Sequence, residues 1–407
     1  MIYWLWLQCA LGAGGNRFHD IVSYFACAKK VYEAGEKGRI ASCVFSERDL
    51  ERMRNTSLDT ARALLERCKK EEITVITPES PSYPDCLKNI NKPPFALYVK
   101  GDFPDFDKTP AISIVGTRNV SDYGFKCGYS LAGRLSQGGF IIVSGGAKGS
   151  DTSAHLGALL TGGKTVALLP HGFGVEYLKE NSELRENIIK SGGCLITEFP
   201  PDTPVYKQSF YIRNRLMSAL SVGIVVVEAP AKSGALITAA NAVEQNRDVF
   251  VIPGQPGLDN YEGSNALLRD GAKPVTELSD IFSEYTYRLG DKISIERAME
   301  KPLPSPKSYT KPNNEAKKKV KKQPYKLKAD AEKELVLKEK KEIIKKILPE
   351  NLSKNAKIIY NQLDKQIFTC DDLLSPTLNS TMILSALGEL ELFGFISSLP
   401  GGRYTLK

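Results

Sequence analysis

The chain is poor in the residues that build metal and redox centres. It has 3 histidines in 407 residues, His19, His155 and His171, at no metal-ligand spacing. Its 8 cysteines, at positions 9, 27, 43, 68, 86, 127, 194 and 370, are scattered and contain no CxxC pair. That pattern argues against a zinc site or a disulfide framework and fits reduced thiols in a cytoplasm. No uninterrupted apolar run reaches the roughly 18 residues that a membrane span needs. The apolar start, residues 2–7, has no basic n-region and no small-residue cleavage site, so it reads as a buried helix and not as a signal peptide. GxSxG and HExxH are absent, and the candidate carboxylates Asp151, Glu198 and Glu228 stand apart from one another. Residues 158–165 match a loose Walker A pattern but precede a strand, where a true P-loop follows one. The turn Gly116-Thr-Arg-Asn-Val-Ser121 is not GxGxxG, so a nicotinamide is not expected either. The expectation is a protein without cofactor or metal.

What is present is ordinary for a globular protein: 42% hydrophobic and 25% charged residues, with length enough for two or three domains. The net charge of +8 is unevenly placed. Residues 301–350 carry 16 Lys against 7 acidic residues, so the other 357 residues sum to about −1. Any basic surface on the folded parts must therefore come from local placement.

Five stretches follow from patterning. Residues 1–70 read as a small helical domain of the SAM or helix-hairpin-helix kind, with a Gly-rich hairpin at 11–16 and with Ser46 and Ser57 as helix N-caps. That hairpin is expected to be a helix-packing turn more often than a DNA contact. Residues 71–110, punctuated by proline, read as a connector packing on the core, with one short strand at 73–76. Residues 111–290 alternate short β-branched runs, at 111–115, 140–143, 165–169, 193–197, 223–227 and 249–252, with helical stretches. Such alternation predicts βαβ units and a doubly wound, mostly parallel α/β sheet. Residues 291–350 read as a Lys-rich flexible linker, with a helical pattern over 333–348. Residues 351–407 read as a winged-helix-like domain: helices at 356–363, 371–374 and 381–393, then a hairpin over 395–406 turning at Pro400-Gly-Gly402. Its third helix has Glu389 and Glu391 and no Lys or Arg, which favours a protein contact over a DNA contact.

In such sheets ligands sit at the carboxyl ends of the strands. Those ends carry Gly116-Thr-Arg118, then Ser144-Gly-Gly-Ala-Lys-Gly-Ser-Asp151, then Pro170-His-Gly172, then Glu198 followed by Phe210-Tyr-Ile-Arg-Asn-Arg215, and then Glu228 followed by Ser233-Gly-Ala-Leu-Ile-Thr238. Glycine turns that open helices offer free amides and a positive dipole end to an anion, and Arg118, Lys148, Arg213 and Arg215 add full charges. Gly116, Thr117, Arg118, Ser144, Gly145, Gly146, Lys148, Gly149, Gly172, Arg213, Asn214, Arg215, Ser233, Gly234 and Thr238 are thus the candidate phosphate contacts. Asp151, His155, Glu198 and Glu228 are expected to support them, with at least one of Arg213 and Arg215 paired to a carboxylate. Tyr123, Phe173, Tyr177, Phe210 and Tyr211 stand where a base could stack.

These motifs, together with Pro253-Gly, Gly263-Ser-Asn265 and Gly271-Ala272, resemble the signature series of the DNA-processing protein A family (DprA, also called Smf) over about residues 78–282. The resemblance implies an extended Rossmann-like fold and a homodimer that binds single-stranded DNA without sequence preference and loads the RecA recombinase during natural transformation. It implies phosphates against Gly116, Arg118, Ser144, Gly146, Lys148 and the region of Tyr177 and Lys179. The chain departs from the family pattern at Thr117, at Ser150, over 172–178 and at Tyr211. A competing reading is a nucleotide phosphoribohydrolase-like enzyme on the same fold. Its Pro-Gly-Gly-x-Gly-Thr-x-x-Glu motif is missing from 253–262, which favours binding over catalysis.

Overall fold

The computed structural model describes residues 1–303, 349, 352–363, 367–369, 373, 380–399 and 403–406. The expected helix over 333–348, the turn at 400–402 and, apart from Leu373, the helix over 371–374 lie outside the described residues. The chain divides into two compact units, residues 1–309 and 310–407.

Nine strands form the sheet of the first unit: β1 (Thr74–Ile76), β2 (Leu97–Gly101), β3 (Ala111–Val115), β4 (Ile141–Ser144), β5 (Thr165–Leu168), β6 (Cys194–Thr197), β7 (Gly223–Val226), β8 (Asp248–Val251) and β9 (Lys273–Pro274). Their order is β1-β2-β6-β5-β4-β3-β7-β8-β9. All neighbours from β6 to β9 run parallel, while β1 and β2 add an antiparallel edge. The α/β, mostly parallel fold expected from patterning is the fold observed. Two strands were not legible. β2 sits in what reads as a proline-rich connector, and β9 has only two residues. Residues 71–110 therefore supply sheet, not only packing.

The strands are buried on both faces, as parallel sheets are. On one face Ala111, Val115, Val143, Val166 and Val226 pack with Leu216, Ala235 and Ala239 of the helices Lys207–Ala219 and Gly234–Glu244. On the other, Ile112, Ile114, Ile142 and Val225 meet Phe125, Ala132, Ala154 and Phe282 of the helices Asp122–Gln137, Ser150–Leu160 and Ser279–Leu289. The helices Asp122–Gln137 and Ser150–Leu160 approach closely because Gly157 faces the backbone of Tyr129, where any Cβ would collide.

Ser46 and Ser57 cap their helices as expected: each hydroxyl accepts an amide, from Asp49 and Thr60 at 3.2 Å. The N-terminal helices bury Trp4, Trp6, Phe18 and Phe25 against Val75, Phe95 and Tyr98, on the antiparallel edge of the sheet. Their Gly-rich hairpin is a packing turn. The Gly14 amide donates to Glu198 Oε1 at 2.7 Å, and Gly15 abuts the Lys92 and Pro93 carbonyls.

In the second unit, helices Lys354–Gln362 and Ser380–Leu392 enclose Ala356, Ile359, Tyr360, Leu387 and Leu390 beside a three-stranded antiparallel sheet. Its strands are β10 (Ile367–Thr369), β11 (Ile396–Leu399) and β12 (Arg403–Leu406), in the order β10-β12-β11. Glu389 is occupied within the unit, accepting the Ser353 amide at 2.8 Å and the Ser353 hydroxyl at 2.5 Å.

Candidate nucleic-acid interface

The chain leaves β3 toward β4 on one side of the sheet and leaves β7 toward β8 on the other. The switch point is therefore between β3 and β7, and the turns after them part to form a crevice. Its volume is about 340 Å³. Gly116, Thr117 and Arg118 form one wall. Lys232, Ser233, Gly234 and Thr238 form the other, and Phe210, Arg213 and Asn214 of the helix Lys207–Ala219 close the third side. A narrow continuation runs past Gly145, Gly146, His171, Tyr177 and Arg185, with Arg118, Phe210 and Arg213 shared between the two parts.

Arg118 is exposed, and its guanidinium lies over the Phe210 ring, 5.3 Å from the centroid. Tyr177 in turn meets Phe210 edge-on at 6.3 Å. A cation resting on an aromatic face is held without an anionic partner and keeps its charge for a ligand. Arg213 is buried, and its Nη1 donates to the Leu168 carbonyl at 3.2 Å. Its Nε has no hydrogen-bond partner among the described residues, nor has the Thr238 hydroxyl. Burial pulls the Arg213 pKa down, opposed by the charge of Asp151. Gly145 is required here because a Cβ at that position would overlap the Arg213 guanidinium. Asn214 Nδ2 donates to the Gly234 carbonyl at 3.2 Å, and the Ser233 hydroxyl caps the next helix on the Ala235 amide at 3.2 Å.

The glycine turn after β4 is less open than its sequence suggests. Asp151 is folded back into it and accepts the Ala147 amide at 3.2 Å, while the Ser150 amide is taken by the Thr117 carbonyl at 3.2 Å. Burial pushes the Asp151 pKa up, and Arg213 pulls it back down. Gly149, at φ 77°, brings its Cα against the Thr117 and Arg118 carbonyls. The Asp151 carboxyl and the Thr117 carbonyl thus already take two amides of this turn.

Several expected residues stand outside the crevice. Ser144 is buried, and its hydroxyl donates to the Ile114 carbonyl at 2.6 Å. Gly172 is buried against the Pro200 and Pro201 carbonyls. Lys148 pairs with Glu180 at 2.8 Å, and Lys179 with Glu176 at 2.7 Å. Arg215 lies 2.5 Å from Glu198 Oε2, so it is the arginine of the pair that meets a carboxylate directly. His155 is buried with Nδ1 2.7 Å from the Thr165 hydroxyl, and burial drops its pKa to about 3. Glu228 sits beneath the floor, where it accepts from the Ser121 amide at 2.9 Å, the Ser121 hydroxyl, Tyr261 Oη at 2.7 Å and Asn260 Nδ2 at 3.2 Å. It meets no arginine among the described residues. Of the stacking candidates, Phe210 and Tyr177 reach the crevice or its continuation, whereas Phe173 packs under Lys100. Two cations escaped sequence reasoning. Lys232 could have been found by its place in the turn after β7. Arg185 is brought in from the helix Ser182–Lys190 and has no local signal.

Among the described residues there is no group of three or more His, Cys, Asp or Glu that could hold a metal, and no helix long and apolar enough to cross a membrane. Fold and site together define a doubly wound α/β protein with a cationic, aromatic-flanked crevice at its switch point. The family model described as DNA recombination-mediator protein A matches residues 74–286. The chain is 39% identical over 221 residues to the DNA processing protein DprA of Bacillus subtilis, covering 54% of this chain and 74% of that one. It is 37% identical over 214 residues to Protein Smf of Synechocystis, covering 52% and 54% respectively. The X-ray structure of DNA processing protein A (DprA) from Streptococcus pneumoniae superposes with a TM-score of 0.60 at 30% identity, over 70% of this chain and 98% of that one. The chain belongs to the DNA recombination-mediator protein A family.

Proposed function

We propose that the chain binds single-stranded DNA without sequence preference, and that the strand's phosphates enter the crevice between the turns after β3 and β7. The observation that carries this reading is Arg118 poised over Phe210 at the mouth, with Arg213 inside and Lys232 opposite. Three cations beside an aromatic face match what a strand presents: a charge on every phosphate and a π-face on every base. None of the three candidate carboxylates is placed for acid–base chemistry, since Asp151 is folded into its own turn, Glu198 is paired with Arg215 and Glu228 is saturated with donors. Binding is therefore the reading, not catalysis.

Family membership supports the finer parts of the proposal: a homodimer that hands strands to the RecA recombinase in natural transformation, acting in the cytoplasm. We take 351–407 as a winged-helix-like partner module and begin the linker after residue 303 rather than at 291, since the helix Ile295–Glu300 packs on the first unit: Ile293 and Ala298 are buried there, and Arg134 Nη1 donates to the Ala298 carbonyl at 2.9 Å. The test is salt-dependent binding of a labelled dT strand to the full chain and to Arg118→Ala combined with Lys232→Glu. The double variant should bind at least tenfold more weakly, with a shallower salt slope, since each neutralised phosphate contributes about 0.7 to that slope on single strands. Equal binding by both proteins would remove the crevice from consideration.

A further inference from the structure

An open cavity of about 850 Å³ lies on the carboxyl edge of the sheet and shares no lining residue with the crevice. It forms where the loop after β8 passes the start of the helix Asp122–Gln137. Tyr123, Leu258 and Tyr261 are among its apolar lining residues, and Ser121, Gln255 and Asp259 among its polar ones. The wall between the two spaces is short. Residues 116–118 line the crevice and Ser121 lines the cavity. Arg118 and Ser121 are three residues apart, at most about 10 Å of chain. A stacked single strand covers that distance in about three nucleotides, at roughly 3.4 Å each.

The loop is fastened to this wall. Asn260 Nδ2 donates to the Asn119 carbonyl at 3.0 Å, and the Ser121 and Tyr261 hydroxyls lie 3.0 Å apart, both donating to Glu228. Tyr123 stands out on it. It is 52% exposed, yet its hydroxyl donates to the Pro253 carbonyl at 3.3 Å and its ring meets that of Tyr261 at 63°, with centroids 6.5 Å apart. An exposed aromatic that is already held at its tip gives up little freedom when a flat partner covers it. Leu258, 47% exposed, adds apolar surface to the same lining. Charge decides which part of a strand fits. The lining holds no Lys or Arg, and Asp259 puts a carboxylate there, so a phosphate is repelled. A nucleobase is flat and uncharged. Its π-face suits a tyrosine ring, and stacking of this kind tolerates any base.

We infer that this cavity is a base subsite, in which Tyr123 stacks a nucleobase of the strand whose phosphates lie across the wall in the crevice. It rests on the proposal that the chain binds single-stranded DNA, and adds to it a place that takes bases and refuses phosphates. The test is fluorescence anisotropy of the full chain with a labelled dT strand and with an equally long strand of abasic deoxyribose phosphates. Tyr123→Ala should weaken the dT strand about tenfold, the loss of one stacked base, and leave the abasic strand and both salt slopes unchanged. Tyr123→Phe keeps the ring and should bind both strands as the wild type does. Arg118→Ala combined with Lys232→Glu should weaken both strands and flatten both slopes, which separates the two contacts. Wild-type affinity for the dT strand in Tyr123→Ala would overturn the base subsite and leave the crevice standing. An equal loss on both strands would overturn it too, by making Tyr123 a prop for the wall at 116–121. A dT-specific loss in Tyr123→Ala beside unchanged binding in the double variant would keep the base subsite and take the phosphates out of the crevice. A wild type that binds neither strand would end both.

Discussion

Arg213 and Arg215 stand two residues apart on one helix and meet different partners. Two residues turn an α-helix by about 200°, so the side chains leave on nearly opposite faces. Arg213 enters the crevice, where its Nε is unpartnered. Arg215 leaves on the other face, where it is held to Glu198 at 2.5 Å. Glu198 Oε1 also takes the Gly14 amide at 2.7 Å, so one buried carboxylate ties the N-terminal helices to the sheet.

Removing that carboxylate should be severe. Glu198→Ala leaves the Arg215 charge buried and unmatched, and loss of one partner of such a pair costs about 3–5 kcal/mol. Urea unfolding of the full chain should show this in the first unit. Glu198→Leu combined with Arg215→Met should recover part of the loss. If Glu198→Ala unfolds at the wild-type midpoint, the pair does not hold the hairpin.

Gly145→Ala tests the floor of the crevice. The added methyl group overlaps the Arg213 guanidinium, which must leave its place beside the Leu168 carbonyl. A displaced cation loses its charge-assisted contacts, so dT-strand affinity should fall roughly tenfold. Wild-type affinity in this variant would mean that Arg213 only fills space.

Lys148 is paired with Glu180 at the surface, at 2.8 Å. Glu180→Gln should release it, strengthen dT-strand binding at low salt and steepen the salt slope by about 0.7, the contribution of one further phosphate contact. The urea midpoint should stay where it is, because the pair is at the surface. An unchanged slope would exclude Lys148 from the interface.

His155 predicts an acid sensitivity. Burial lowers its pKa from 6.5 to about 3, so the unfolded chain binds a proton between those values and the folded chain does not. Stability from this group is complete above pH 6.5 and is lost progressively as pH falls toward 3. Asp151 and Glu198, both raised by burial, act in the opposite sense. Comparison with His155→Gln therefore isolates the effect: the wild type should lose more stability than the variant between pH 6.5 and 4.5. Parallel pH profiles would refute a neutral buried imidazole.

The sequence by itself determined the doubly wound sheet, the glycine turns at its carboxyl edge and the serine caps at 46 and 57. These depend on residue period and turn chemistry within a few positions, and that information is local. Strand β2 was hidden because its buried run follows two prolines, and β9 because two residues carry no period. Only the tertiary structure decided which cations face a ligand. Arg118 rests on Phe210, Lys148 is paired to Glu180, and Arg215 is taken by Glu198, each by a segment brought close in space. It also folded Asp151 into the turn after β4, where its carboxyl takes an amide that a phosphate was expected to use. Long charged side chains choose partners by distance and burial after folding. The Gly14–Glu198 bond spans 184 residues, which no local pattern encodes.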